Sequence, residues 1–218
     1  MSRAGSLRES LAAASRALAA AGLVRATSGN VSAREGDRVA VTPTGAVLAE
    51  LTPDQVVVVG LDGAVVEGEG RPTSELPLHL GVIERFGAGA VVHTHPPVGT
   101  ALSLVIDELP CVHYEMHALG GAVRVAPYRT FGTPELAEGV LGALEGRSAA
   151  LMANHGAITF GADLAQAVER AHLLEWACTL YWRAAAIGEP RALGADAMDA
   201  VRAQLHAKDY RSMLDMSG

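Results

Sequence analysis

The sequence is poor in aromatic residues, which make up 4% of its 218 positions, and it contains only two cysteines and one lysine. Cys111 and Cys178 lie far apart and form no Cys-x-x-Cys motif. A disulfide framework is therefore not expected, and a reducing cytoplasm is the predicted location. Lys208 stands in a polar setting near the C-terminus, which disfavours catalysis through a lysine Schiff base.

Excess positive charge and long apolar runs are also missing. The formal net charge is −7 at pH 7, and no dense cluster of lysine and arginine occurs. This balance argues against binding to nucleic acid and to anionic membrane surfaces. The apolar runs fall far short of the ~20 residues that span a bilayer. The first 22 residues include Glu9 among polar positions, which indicates an amphipathic helix rather than a signal peptide.

The hydrophobic content, 50% of the chain, is enough for a sizeable core, and the length fits a single domain over residues 1–218. Helical spacing occurs over 6–21, 163–187 and 194–208, and short apolar strands alternate with shorter helices. Asp62-Gly63 is typical of a β-hairpin turn. The pattern predicts an α/β fold with a mixed sheet covered by helices on both faces.

Three histidines follow apolar strands and form the strongest chemical signal. His93 and His95 lie in "VVHTHPP", where strand alternation turns both side chains to the same face. His155 lies in "LMANHGAITFG", also at the end of an apolar strand. Strands that end together in an α/β sheet place their C-terminal loops in one crevice. Three neutral imidazoles with one open position form a catalytic zinc site.

Glu75, in "PTSEL", is predicted to lie in the first turn of a helix that Thr73 or Ser74 could cap. One interpretation is a carboxylate that complements the helix dipole. The other is a base beside the metal, which the three histidines favour. His79 and His172 fall in predicted helices and are expected to be structural or exposed.

Three loops of small residues could bind an anion. They read "TSGNVS", "TPTG" and "RPTSE", and the third opens a helix. Backbone N–H groups and hydroxyls in such loops can hold a phosphate, and a helix N-terminus adds to the attraction. None of them matches a nucleotide-binding fingerprint. Together with the metal candidates they predict a small phosphorylated substrate.

Seven stretches in order give the chain a specific resemblance. They are "TSGNVSAR", "TPTG", "PTSE", "VVHTHPP", "HYEMHALGG", "APYRTFGTPELAEGV" and "ANHGAITFG". With them the sequence resembles the class II aldolase/adducin family, in particular its L-fuculose-1-phosphate aldolase-like enzymes. The resemblance implies a three-layer α/β/α domain with a largely antiparallel mixed sheet. It also implies a homotetramer with active sites between subunits.

The resemblance assigns roles to particular residues. It implies Zn²⁺, or another divalent metal, held by His93, His95 and His155, with Glu75 as a fourth ligand that leaves to act as acid and base. Tyr114 would carry the second proton in a neighbouring subunit's site, and Tyr210 could correspond to a further family tyrosine. The residues implied to bind substrate phosphate are Ser28, Gly29, Asn30, Thr44, Gly45, Thr73 and Ser74.

The implied reaction is the reversible cleavage of a ketose 1-phosphate into dihydroxyacetone phosphate and an aldehyde through a metal-stabilised enediolate. Related enzymes on the fold epimerise, decarboxylate or dehydrate sugar phosphates, and the metal residues do not separate these activities. Epimerases of this group are expected to need further acid and base residues near Tyr114, where this chain has His113, Glu115 and His117. Epimerase activity therefore stays an alternative. A non-catalytic adducin-like module is disfavoured because all of the metal candidates are present, and an iron-dependent redox enzyme is a further alternative.

Overall fold

A computed structural model describes residues 3–207 of the chain, with side chains from residue 7 onward. The strands are β1 (Asn30–Glu35), β2 (Arg38–Val41), β3 (Val57–Gly60), β4 (Val65–Glu67), β5 (Ala90–Thr94), β6 (Glu108–Leu109), β7 (Val123–Ala126), β8 (Ala149–Met152) and β9 (Gly156–Gly161). The α-helices are α1 (Arg3–Ala20), α2 (Leu76–Phe86), α3 (Pro97–Leu102), α4 (Pro134–Ala143), α5 (Leu164–Ala185) and α6 (Ala195–Ala207).

The strands form one mixed sheet in the order β4-β3-β2-β1-β5-β9-β8-β7-β6. Among the strands described, only β7 and β8 pair in parallel, and every other neighbouring pair is antiparallel. The predicted mixed, largely antiparallel sheet is therefore confirmed. The predicted hairpin is also present, since β3 and β4 are joined through Asp62 and Gly63, and Gly63 takes a positive φ of 81°.

Helices cover both faces of the sheet, as the alternation along β5 shows. Val91 packs into the core formed with α2 and α4, where Val82 and Val140 are buried. Ala90 and Val92 point the other way, into the core formed with α1 and α5. Successive strand residues face opposite sides, so this split requires apolar layers above and below. The three-layer α/β/α architecture is thus confirmed.

The three longest predicted helices are present with small shifts at their ends. The first begins three residues earlier than predicted, and α5 begins at Leu164 after Asp163, whose side chain accepts a hydrogen bond from the Gln166 backbone N–H. That bond caps the helix. No helix within residues 3–207 has the length and apolar character needed to cross a membrane.

The topology brings three chain segments to one edge of the sheet. Both β5 and β8 run antiparallel to β9, which lies between them, so β5 and β8 end at the same edge. β1 runs antiparallel to β5 and starts there, with Asn30 paired to His93. Beyond β5, the Glu175 carboxylate accepts hydrogen bonds from the backbone N–H groups of Val98 and Gly99. This contact fixes the start of α3, two residues after His95.

Candidate metal centre and active site

The three predicted histidines meet at this edge. One ring nitrogen from each of His93, His95 and His155 lies within 4.8 Å of the others. The Nε2 atoms of His93 and His95 are 3.0 Å apart. His93 is fully buried, whereas His95 and His155 are partly exposed to the adjoining cavity. Strand alternation explains why His93 and His95 share a face, as predicted. His155 joins them because β5 and β8 end at the same edge of the sheet.

A tight turn between β8 and β9 carries His155 into the group. Asn154 takes a positive φ of 57°, and the turn closes between Met152 and Gly156. Gly156 has no room for a side chain, because a Cβ atom there would lie 2.3 Å from the backbone oxygen of Thr94. It would also lie 3.3 Å from the rings of His93 and His95. The glycine therefore lets the two strands approach beside the histidines.

Replacing Gly156 by alanine is expected to lower the free energy of unfolding and to weaken metal binding, because the backbone of β5 must shift. Overpacking of this kind costs about 1–3 kcal/mol. The matched control is Gly139→Ala on α4, where no atom lies within 4 Å of the added Cβ. In a helix that change stabilises by about 1 kcal/mol. Denaturant unfolding of both variants measures the difference, and equal stabilities would contradict the tight packing at Gly156.

The imidazoles are neutral and can offer ring nitrogen lone pairs to a metal ion. His93 Nδ1 lies 2.9 Å from the carbonyl oxygen of Ala157, which can only accept, so Nδ1 carries the proton and Nε2 presents a lone pair. Burial, with repulsion from His93 next, lowers the pKa of His95 to about 3. The same causes lower the pKa of His155 to about 4. Metal ligands must be unprotonated, so both side chains suit coordination at neutral pH.

Glu75 faces these histidines. Its Oε2 is 3.3 Å from Nε2 of His93, and its Oε1 is 3.7 Å from Nε2 of His155. Burial alone would raise its pKa, but His93, the Asn30 amide and His155 together lower it. The residue is 5% exposed, and Oε1 has no hydrogen-bond partner among the described residues. A buried, ionised oxygen without a partner is unusual in a folded protein.

The start of α2 differs from the prediction. Glu75 is the N-cap residue rather than part of the first turn, and neither Thr73 nor Ser74 caps the helix. Instead, the Thr73 hydroxyl oxygen accepts a bond of 3.3 Å from the Glu75 backbone N–H. The reason is that the N-cap carboxylate turns toward the histidines, and Pro77 occupies the first helical turn without needing a partner for an N–H.

These residues fit a divalent metal. Three imidazole nitrogens converge, two of them at a separation that requires a proton or a cation between them, and a carboxylate oxygen without a partner faces the same point. Three protein nitrogen ligands with one further position are typical of catalytic zinc. Imidazole ligands also suit copper, nickel and iron, so the ligand types alone do not select zinc.

A cavity of about 430 Å³ opens beside the histidines. Its size is that of an ordinary small-molecule site. All of the residues predicted to bind phosphate line it, namely Ser28, Gly29, Asn30, Thr44, Gly45, Thr73 and Ser74. His95, His155 and Glu75 line it as well. The sheet topology thus joins three loops that are up to 47 residues apart in sequence, from Ser28 to Glu75.

Sequence reasoning missed several residues of the cavity wall. Tyr128, Arg129 and Phe131 line it from the loop after β7, and Asn154 lines it from the turn before His155. The stretch "APYRTFG" was a signal for the first three, since an arginine and two aromatics in one loop are typical of a binding site. His79 is fully buried, in agreement with the structural role expected for it, but its hydrogen bond to Asn30 of the cavity wall was not predicted.

Tyr114 lies outside this group. It starts a 3-10 helix, Tyr114–Leu119, is 43% exposed, and does not line the cavity of its own chain. The ring of His113 packs between those of Tyr114 and Trp176, while His117 is buried beside a different cavity. None of the three residues proposed for the epimerase alternative (His113, Glu115 and His117) lines the histidine cavity. Tyr210 lies outside the described residues.

The chain is similar to known proteins over most of its length. Residues 9–182 match the family described as Class II Aldolase and Adducin N-terminal domain. The chain belongs to this family. Within it, a 5-methylthioribulose-1-phosphate/5-deoxyribulose-1-phosphate aldolase from Rhodospirillum rubrum is 40% identical over 197 residues, which cover 89% of each chain. A 5-deoxy-D-ribulose 1-phosphate aldolase from Bacillus thuringiensis is 38% identical over 195 residues, 88% of this chain and 92% of the relative.

A solved class II aldolase has the same architecture. The structure of an L-fuculose 1-phosphate aldolase superposes with a TM-score of 0.88 at 32% identity, covering 97% of this chain and 98% of the other. The class II aldolase fold predicted from the sequence is confirmed. The prediction of an aldehyde-lyase of the class II family is confirmed too, because these relatives are named aldolases.

Proposed function

We propose that this class II aldolase reversibly cleaves a ketose 1-phosphate into dihydroxyacetone phosphate and an aldehyde, with Zn²⁺ as its resident metal. One observation carries the proposal. Two imidazoles, a buried carboxylate and three hydroxyl-rich loops line a single cavity of about 430 Å³. The third imidazole, of His93, lies buried beside them, with its ring nitrogen within 4.8 Å of the other two. The imidazoles and the carboxylate indicate a metal-assisted step, and the loops indicate a phosphorylated substrate. Their place beside one cavity joins the two.

The loops would hold and orient the phosphate. Ser74 and Thr44 are exposed to the cavity, and the Thr44 hydroxyl donates to the Pro72 carbonyl, so its oxygen keeps lone pairs and its loop stays tied to the next one. The start of α2 lies beside the same region, where the helix dipole attracts anions. Arg129 adds a full positive charge to the wall. Binding at the phosphate places the ketose carbonyl near the histidines.

A divalent metal held by His93, His95 and His155 would act as a Lewis acid that stabilises negative charge developing at the ketone oxygen. Glu75 would move the proton at C3. Its lowered pKa makes it a carboxylate at rest, which is the form that removes a proton from dihydroxyacetone phosphate in the condensation direction. In cleavage it returns that proton to C3.

Tyr114 of a neighbouring subunit would donate its phenolic proton to the C4 oxygen in condensation. In cleavage its phenolate would accept the proton of the C4 hydroxyl while the protonated Glu75 gives its own to C3, so that no net proton is taken up or released. The proposal includes a homotetramer, and it is supported by the position of Tyr114, which is exposed and does not line the cavity of its own chain. A surface tyrosine packed against His113 can reach another subunit without rearrangement of the core. A cytoplasmic location stays a prediction that rests on the two free cysteines.

A deoxy sugar is the first substrate to test. The relatives that align over most of the chain are named for 5-deoxyribulose, 5-methylthioribulose and fuculose phosphates. Their sugars end in a methyl or methylthio group. Pro43, Tyr128 and Phe131 give this cavity an apolar wall that suits such an end. We expect 5-deoxyribulose 1-phosphate to be cleaved with a higher kcat/KM than a ketose 1-phosphate that ends in a hydroxymethyl group.

The decisive assay is a panel of ketose 1-phosphates with and without chelator. Release of dihydroxyacetone phosphate is coupled to its reduction and followed optically, and native protein is analysed for metal. Turnover that chelator removes and Zn²⁺ restores would support the proposal. Epimerisation of L-ribulose 5-phosphate without cleavage would favour the epimerase alternative instead. Protein that binds no metal and turns over no sugar phosphate would favour a non-catalytic adducin-like module.

A further inference from the structure

His79 lies wholly inside the protein, between α2 and β1. Its Nδ1 is 2.7 Å from the Ser32 hydroxyl, and its Nε2 is 2.5 Å from Oδ1 of Asn30. Asn30 in turn donates from Nδ2 to Oε2 of Glu75, at 2.8 Å. Four polar side chains from two separate segments therefore form one continuous line of hydrogen bonds that ends on the active-site carboxylate.

The direction of every bond in this line is fixed by its last member. An ionised carboxylate only accepts, so the amide nitrogen of Asn30 must face Glu75, and its oxygen must face His79. That oxygen accepts, so Nε2 of His79 carries the proton. Nδ1 is then an acceptor, and the Ser32 hydroxyl donates to it. Ser32 therefore donates to His79, His79 donates to Asn30, and Asn30 donates to Glu75.

We propose that Ser32 and His79 are positioning residues that hold the Asn30 amide in the orientation that ties down Oε2 of Glu75 and leaves Oε1 for metal or substrate. The inference rests on the proposed function for the role of Glu75. It adds two residues, neither of which lines the cavity. Asn30 would then have two roles, because one N–H of its amide holds Glu75 and the other remains available to a ligand.

The surroundings show that this line is not an incidental set of contacts. His79 lies on α2 between Leu78, Val82 and Ile83, all buried in the apolar core. An apolar side chain would fit such a site with no polar group to desolvate, and a buried polar group is costly unless it is hydrogen-bonded. Burial also lowers the pKa of His79 to about 4. The ring is thus neutral at pH 7, as an acceptor at Nδ1 requires.

Two substitutions at His79 separate positioning from packing. His79→Leu fills the same space with an apolar group and removes both hydrogen bonds. His79→Gln keeps an amide N–H that can donate to Asn30. We expect His79→Leu to lower kcat about 10–100-fold, the usual loss when a partner of a metal-site residue is removed. Its KM for the ketose phosphate should change less than threefold, and His79→Gln should recover most of kcat.

Ser32→Ala removes only the first donor of the line and is the milder test. Its matched control is Ser103→Ala, because Ser103 is also buried and donates to a backbone carbonyl, that of Thr100. We expect Ser32→Ala to lower kcat several-fold and Ser103→Ala to leave it unchanged. Equal kcat values in wild type, Ser32→Ala and His79→Leu would overturn the inference. So would equal losses in His79→Leu and His79→Gln.

A readout independent of activity is the tautomer of His79, measured by ¹⁵N NMR of the metal-free protein near pH 7. We expect the Nε2–H form in wild type. An Nδ1–H form or an imidazolium would overturn the inference, whether or not any variant folds. Metal titration adds a second readout, with His79→Leu binding the ion more weakly than His79→Gln. If wild type cleaves no ketose phosphate, the proposed function fails, while the tautomer still decides whether the line exists.

Discussion

Replacing His155 by alanine is expected to abolish stoichiometric metal binding and to lower kcat/KM about 10³-fold or more. The ring nitrogens of His93 and His95 alone would leave two protein nitrogens where catalytic sites use three ligands. Loss of Lewis-acid stabilisation costs several kcal/mol, and about 1.4 kcal/mol corresponds to a factor of ten in rate. Metal analysis of purified protein and steady-state cleavage measure the two effects.

His172→Ala is the matched control, because His172 lies on α5 and does not line the cavity. It should keep both metal content and turnover. The free energy of unfolding of metal-free protein should differ little between wild type and His155→Ala, since His155 is only partly buried. A His155→Ala protein that cleaves the substrate at the wild-type rate with chelator present would exclude the proposed metal-assisted step.

The second large effect is expected for Glu75→Gln. The amide keeps the shape of the side chain but cannot take up a proton, so the step at C3 should slow about 10²–10⁴-fold, the range of a general base. The sharpest measurement omits the aldehyde. In D₂O, wild type should exchange one proton of dihydroxyacetone phosphate at the hydroxymethyl carbon that becomes C3, and Glu75→Gln should not.

Tyr114→Phe provides the contrast for this experiment. Tyr114 is assigned to the C4 hydroxyl, which dihydroxyacetone phosphate lacks, so the variant should lose cleavage yet keep the exchange. Metal content should be retained in both proteins, since the three imidazoles are unchanged. Exchange that persists in Glu75→Gln would remove Glu75 from the assigned role. Exchange lost in Tyr114→Phe would mean that Tyr114 acts on C3 or shapes the whole site.

The periodicity of the chain predicted the layers well, because burial on one or both faces imposes a simple repeat. Helical spacing located α1, α5 and α6 to within a few residues, and the β3–β4 turn followed from Asp62-Gly63. Helix α2 was less well predicted at its start. Its N-cap is set by what Glu75 contacts across the cavity, and local capping preferences contain no information about such a contact.

His79 shows the limit of local patterns most clearly. In sequence it is one histidine within an apolar helix, and nothing nearby distinguishes it from His172. Its partners, Ser32 and Asn30, lie 47 and 49 residues away on β1. The residues Tyr128, Arg129 and Phe131 were overlooked for a related reason, since a loop indicates exposure but not which cavity it borders.

The sequence by itself determined which groups could do chemistry: the histidines after apolar strands, the carboxylate before a helix and the hydroxyl-rich loops. These depend on residue type and on repeats of two or 3.6 residues, which are local. Only the tertiary structure decided that they meet, because the antiparallel pairing of β9 with both β5 and β8 places distant strand ends side by side. It also decided which polar groups serve the site from inside the core, since hydrogen-bond direction depends on partners that lie far apart along the chain.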